Sequence, residues 1–291
     1  MSKSKILISV CLLLLIGMGV LFLLSYYDKE SGESTINIET AEEATASNET
    51  EEKIVRKPGT VVYQIPGMEK VELVKDIVYK ADKDVEQKLN VYYPLESGFK
   101  NKPYPVILIH GRTSDKNFKD SEYFDSWGRL VAAYGFAAVT FNWRSGTVPE
   151  DISDLLVYVK EHTEELGIDG KGIGIIAFSA GVENGVQKVL SAGTGVIDSI
   201  VSYYGKLPLS VLENNQGKEL PAVFIAEAGL ENYFPPDCND EFVSKAAELG
   251  CDITEVVHPE GVHGFDVYTD DDKAREIIKE SLTFIEANIN K

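Results

Sequence analysis

The sequence predicts an α/β domain built on a mostly parallel central sheet with helices on both faces. Three observations carry this expectation. Short β-branched runs recur over 71–79, 88–93, 106–110, 137–142, 174–178, 197–204, 222–226 and 253–258. Amphipathic stretches of helical period fall at 124–134, 149–166, 181–190, 239–249 and 271–288. The first two strand runs follow one another without a helix, after which β and α segments alternate. That order fits a sheet whose faces are both covered.

Two segments of different composition precede this domain. Lys3 and Lys5 lead into a charge-free, almost wholly apolar run over 6–24, which is 19 residues long. At about 1.5 Å per helical residue such a run reaches roughly 28 Å, close to the thickness of a bilayer's hydrocarbon. The lysines precede it and acids dominate after it, so the N-terminus is expected inside and the remainder outside. Tyr26 and Tyr27 suit the interface. A cleaved signal peptide is the alternative for 1–27, because Gly17-Met18-Gly19 imitates a cleavage site. The apolar run continues past that site through Val20 to Leu24, which favours an anchor. Either way the domain is expected to lie beyond the cytoplasm, held to a membrane or secreted. Cys11 sits inside the run as apolar filler rather than as a lipid attachment site.

Residues 28–59 are rich in Glu, Ser, Thr, Ala and Asn and show no sustained periodicity. They read as a disordered, self-repelling linker closed by Pro58-Gly59. Asn48 begins a glycan acceptor triplet that has meaning only in a eukaryotic secretory pathway. Residues 60–291 then form the folded domain. The formal net charge of -19 and the lack of a basic patch argue against nucleic acid as a partner. Cys238 and Cys251 invite a disulfide in an exported chain. The intervening segment reads as helix, and about 13 helical residues would hold the thiols roughly 20 Å apart, against a limit near 7 Å between bridged Cα atoms.

The chemistry is concentrated in Gly172-Ile-Gly-Ile-Ile-Ala177-Phe178-Ser179-Ala180-Gly181. A buried strand leads into a serine with small residues two positions either side, and a helix follows. This is the pattern of a nucleophile elbow, where larger neighbours would collide on the tight strand-to-helix turn. Ala177 stands where glycine is commoner.

In these features the chain resembles the α/β-hydrolase superfamily, in particular its dienelactone-hydrolase-like and carboxylesterase-like members, over about 71–288. The resemblance implies an α/β-hydrolase fold and hydrolysis of a small-molecule ester through an acyl-enzyme, with no cofactor. It makes Ser179 the nucleophile and His263, in Pro259-Glu-Gly-Val-His263-Gly264-Phe265-Asp266 after the last strand run, the base. It places the third triad member after the run 222–226, where Glu231 is favoured over Asp237 and Asp240. It also assigns the oxyanion hole to the backbone N–H groups of Ala180 and of the loop His110-Gly111-Arg112, with Arg112 the expected second donor. The Arg112 side chain either faces an anionic substrate group or is solvated.

Among the other histidines, His110 is expected to shape that turn, His162 to be solvated on a helix, and His258 to serve as a structural hydrogen-bonder. No H-E-x-x-H or paired-cysteine spacing supports a metal site. Trp143 and Arg144, then Tyr203 and Tyr204, follow or end strand runs on the edge where α/β sheets bind ligands. They either line the substrate pocket or cover the core. The same apparatus serves a peptidase or an acyltransferase, and a non-catalytic binding module is the reading from another class.

Overall fold

Backbone hydrogen bonds join eight strands into one sheet. The computed structural model describes residues 56–82, 85–95, 102–144, 148–191, 196–214 and 220–289. The sequence-predicted anchor over 1–27, and the linker as far as 55, lie outside the described residues. No helix among the described residues is long and apolar enough to cross a membrane.

The strands are β1 (Glu72–Asp82), β2 (Val85–Tyr93), β3 (Pro105–Ile109), β4 (Ala137–Phe141), β5 (Ile173–Phe178), β6 (Ile197–Tyr203), β7 (Ala222–Ala228) and β8 (Ile253–His258). Their spatial order is β1-β2-β4-β3-β5-β6-β7-β8. β1 pairs antiparallel with β2, and β2 antiparallel with β4. Every other neighbour is parallel. The expected architecture of a mostly parallel sheet is therefore present.

The helices are α1 (Glu122–Tyr134), α2 (Val148–Glu161), α3 (Ala180–Ser191), α4 (Ser210–Asn214), α5 (Asp240–Glu248), α6 (Phe265–Tyr268) and α7 (Asp272–Ala287). Strand alternation distributes the core between two layers. Ile107 and Ile109 face one layer, completed by Leu155 and Val159 of α2, Val182 and Val186 of α3, and Phe242 of α5. Val106 and Leu108 face the other, completed by Trp127 and Leu130 of α1 and Ile277 and Leu282 of α7. β3, β4 and β5 are buried throughout, as strands covered on both faces must be.

Side-chain capping fixes the starts of two helices. Ser121 caps α1 by accepting from the Phe124 N–H, and Asp271 caps α7 by accepting from the Ala274 N–H. The helix expected over 149–166 stops at Glu161. Beyond it the chain turns, with Ile168 N–H donating to the Thr163 carbonyl and Gly167 at φ 61°. The one-turn helix α6 and the short α4 lack the length for a detectable period. Cys238 and Cys251 are free thiols, one on each side of α5.

Parallel sheets bind ligands where the strand order reverses, outside the carboxyl ends. Here β3 is followed in sequence by β4 on one side and flanked by β5 on the other. The loops leaving β3 and β5 meet at that crevice. They carry His110-Gly111-Arg112 and Ser179.

Candidate active site

Ser179 leaves β5 with φ 53°, in the left-handed region that side chains other than glycine avoid. Its N–H donates to the Tyr203 carbonyl at 2.9 Å, and its carbonyl accepts the Val182 N–H at 3.0 Å. Helix α3 starts at the next residue. The turn tolerates no bulk beneath it: a Cβ on Gly181 would stand 2.4 Å from the His110 carbonyl oxygen. A Cβ on Gly111 would come within 3.0 Å of the Ser179 Cβ. Those approaches press the His110-Gly111-Arg112 turn directly against the serine.

The Ser179 hydroxyl lies 2.9 Å from His263 Nε2. His263 Nδ1 is hydrogen-bonded to Glu231 Oε2. This network assigns the proton to Nδ1, leaving the Nε2 lone pair to accept from the serine. Glu231 Oε1 accepts the N–H groups of Asn232 at 2.7 Å and Tyr233 at 2.6 Å. Burial of Glu231 favours the neutral acid. The Tyr233 N–H, His263 and the Asn232 N–H outweigh it and hold the carboxyl below its ordinary range. Of the three candidate acids, Glu231 is the one bonded to His263, while Asp237 and Asp240 are exposed.

Ala180 is the first residue of α3, so its N–H has no carbonyl of a preceding helical turn to bond. Arg112 is exposed, and its side chain makes no hydrogen bond or ion pair among the described residues. His110 is buried, with Nδ1 2.8 Å from the Gly111 carbonyl oxygen. Burial lowers its pKa to about 4, so it is neutral at neutral pH and shapes the turn. His258 Nε2 meets Asp271 Oδ1 at 3.0 Å, consistent with a structural role. His162 is half-buried and stacked on Tyr158, with ring centroids 4.0 Å apart, rather than solvated.

Two of the residues considered for the substrate pocket, Arg144 and Tyr204, are engaged in other contacts. The Arg144 guanidinium is committed to Asp151 at 2.7 Å and to Asp82 at 3.5 Å, because the buried Asp151 carboxylate requires a compensating charge. Tyr204 is buried, with 5% of its surface exposed. Its hydroxyl donates to Asp266 at 2.7 Å, and its ring backs the imidazole of His263, with centroids 4.7 Å apart. Tyr203 is likewise buried, bonded to Ser281. The Trp143 ring packs against that of His110 at a tilt of 36°, with centroids 3.8 Å apart, and so covers the turn beside the serine.

No protein-family model matches the chain, and no curated protein matches its sequence. Solved structures do match it. Thermogutta terrifontis esterase 2 phosphorylated by paraoxon is 19% identical, with a TM-score of 0.59 over 78% of this chain and 98% of the esterase. A bacterial heroin esterase is 18% identical, with a TM-score of 0.60 over 76% of this chain and 84% of its own. DphMB1 is 18% identical, with a TM-score of 0.61 over 76% of this chain and 86% of its own. This likeness shows the fold, which is that of the α/β-hydrolases.

Several residues that organise the site carried little sequence signal. Asp266 is wholly buried and accepts from Tyr204, from Tyr123 at 3.0 Å and from Trp127 Nε1 at 2.7 Å. Only its place directly after His263-Gly264-Phe265 marked it. Tyr233 and Phe234 place their rings 5.3 and 6.3 Å from the His263 imidazole. Glu227, near the end of β7, is buried and accepts from Asn239 Nδ2 at 3.0 Å. Asn239 also donates to the Gly205 carbonyl and accepts the Leu207 N–H, bracing the loop beyond β6.

Burial pushes the Glu227 carboxyl up to about 7 from its ordinary 4.5; the Asn239 bond opposes the shift, and repulsion from Glu255, Asp240 and Asp237 adds to it. The folded chain therefore holds this proton more tightly than the unfolded one. Stability from this group is fully present at low pH and is lost as pH rises from about 4.5 through about 7. Glu227→Gln keeps the acceptor for Asn239 and removes the titration. Urea unfolding should show the variant gaining on the wild type across that window, by up to about 1.4 kcal/mol per pH unit. Parallel pH profiles for the two proteins would contradict the assignment.

Proposed function

We propose that the chain is a serine hydrolase that cleaves carboxylic esters through an acyl-enzyme on Ser179. The observation that carries the reading is the continuous path from the Ser179 hydroxyl through His263 to Glu231. Ser179 attacks the ester carbonyl as His263 Nε2 removes its proton. Glu231 holds the opposite nitrogen and stabilises the imidazolium that forms. The N–H groups of Ala180 and Arg112 receive the developing oxyanion. His263 then returns the proton to the departing alcohol, and water repeats the sequence to release the acid.

Other observations support an ester rather than an amide or an acceptor alcohol. Thermogutta terrifontis esterase 2 is described in butyrate-bound and organophosphate-modified forms, and the other named neighbour of stated activity is a heroin esterase. Among Glu231, Asp237 and Asp240, the geometry favours Glu231 as the orienting acid. With p-nitrophenyl acetate, Ser179→Ala and His263→Ala should each lower kcat by about 10³-fold or more. Glu231→Ala should lower it by orders of magnitude, whereas Asp237→Ala should leave it near the wild-type value. The reverse ranking of the two acids would refute the assignment.

The location proposed for this activity is the outer side of a membrane, supported by the lysine-led apolar run over 6–24 and the acidic stretch after it. Full-length protein should remain in the membrane fraction through an alkaline carbonate wash. It should also be digested by protease added outside intact cells. Release by carbonate, or protection from external protease, would contradict this location.

A further inference from the structure

An imidazole that takes the serine proton must deliver it to the leaving oxygen, so the departing alcohol lies against the accessible part of His263. The side chains around that part of the ring form the surroundings of the alcohol. Here they are aromatic and apolar. The Tyr233 ring meets the imidazole edge-on at 5.3 Å, and that of Phe234 lies nearly parallel to it at 6.3 Å. Tyr233 is 76% exposed, so the fold makes little use of its ring. Its position is nevertheless determined, because its own N–H donates to Glu231.

The surrounding chain extends the same character. Leu230 N–H donates to the Gly261 carbonyl at 2.9 Å, which joins the exposed Leu230 to the loop carrying the exposed Val262 immediately before His263. Within Leu230-Glu-Asn-Tyr-Phe-Pro-Pro236 the one charged side chain is Glu231. Both of its oxygens are occupied by His263 and by backbone N–H groups.

We propose that Tyr233 and Phe234 form a leaving-group subsite that selects esters of aromatic or comparably large apolar alcohols. This rests on the ester-hydrolase reading and adds the class of alcohol to it. An aromatic alcohol stacks on or meets the edge of these rings and leaves water as it binds. A methyl ester gains neither contact. Selection acts on the alcohol, since the acyl group extends from the carbonyl bonded to Ser179 and is not handed the proton.

The test compares kcat/KM of the full-length protein for benzyl acetate, methyl acetate and benzyl butyrate. Benzyl alcohol and methanol are of nearly equal basicity, so their ratio reports binding rather than intrinsic leaving ability. The wild type should prefer the benzyl ester. Tyr233→Ala, which retains the N–H bond to Glu231, should reduce the benzyl-to-methyl ratio by about tenfold, the equivalent of one aromatic contact. Phe234→Ala should reduce it further, and Tyr233→Phe should preserve it. The acetate-to-butyrate ratio at fixed benzyl alcohol should not move. An unchanged benzyl-to-methyl ratio in Tyr233→Ala and Phe234→Ala, or a change confined to the acyl ratio, would overturn the subsite while leaving ester hydrolysis intact. Absence of turnover of all three esters by the wild type would overturn both.

Discussion

The structure depends on one strained residue. Ser179 is held at φ 53°, a conformation that disfavours a non-glycine residue by about 1–2 kcal/mol and persists only where the surroundings impose it. The surroundings do so from every side. β5 is buried along its whole length and fixes the direction of approach, α3 begins at once, and the His110-Gly111-Arg112 turn presses down from β3. Small residues at 177, 181 and 111 are the direct consequence. A hydroxyl placed this way projects from the sheet edge rather than into either core layer, which is what gives His263 access to it.

The polar groups around the serine are arranged so that few are left uncompensated. Glu231 is charged and buried because two backbone N–H groups and the imidazole pay its desolvation. Asp266 performs a different task beneath the base. It gathers Tyr204, Tyr123 and Trp127, so that the ring behind His263 is bonded into the core. The imidazole is thereby held by a carboxylate at its edge and by an aromatic wall behind it. Loop residues that stand on such a support can keep catalytic geometry despite lying outside regular structure.

Much of this was legible in the sequence because it is local. Eight β-branched runs became eight strands, and the nucleophile motif was recognisable from its own ten residues with their strand and helix. What escaped was set by side-chain contacts that periodicity does not encode, most of them between segments far apart in sequence. Arg144 looks available until Asp151, at the start of α2, is brought beneath it. Tyr204 looks like a pocket aromatic because it closes the strand run 197–204, whereas β6 ends at Tyr203. Its φ of 37° breaks the alternation and turns its side chain toward Asp266. The rings of Tyr233 and Phe234 reach His263 only because the loops after β7 and β8 are laced together, through Gly229 N–H to the His258 carbonyl and Leu230 N–H to that of Gly261. Periodicity carries no information about such pairings.

Whether the Ser179 oxygen forms a covalent bond to substrate is read by intact-protein mass measurement after treatment with an alkyl fluorophosphonate. One adduct per chain is expected, mapped to the peptide carrying Ser179 and absent from Ser179→Ala. A folded wild-type protein that takes up no adduct, or takes it up at another residue, would contradict that role for Ser179.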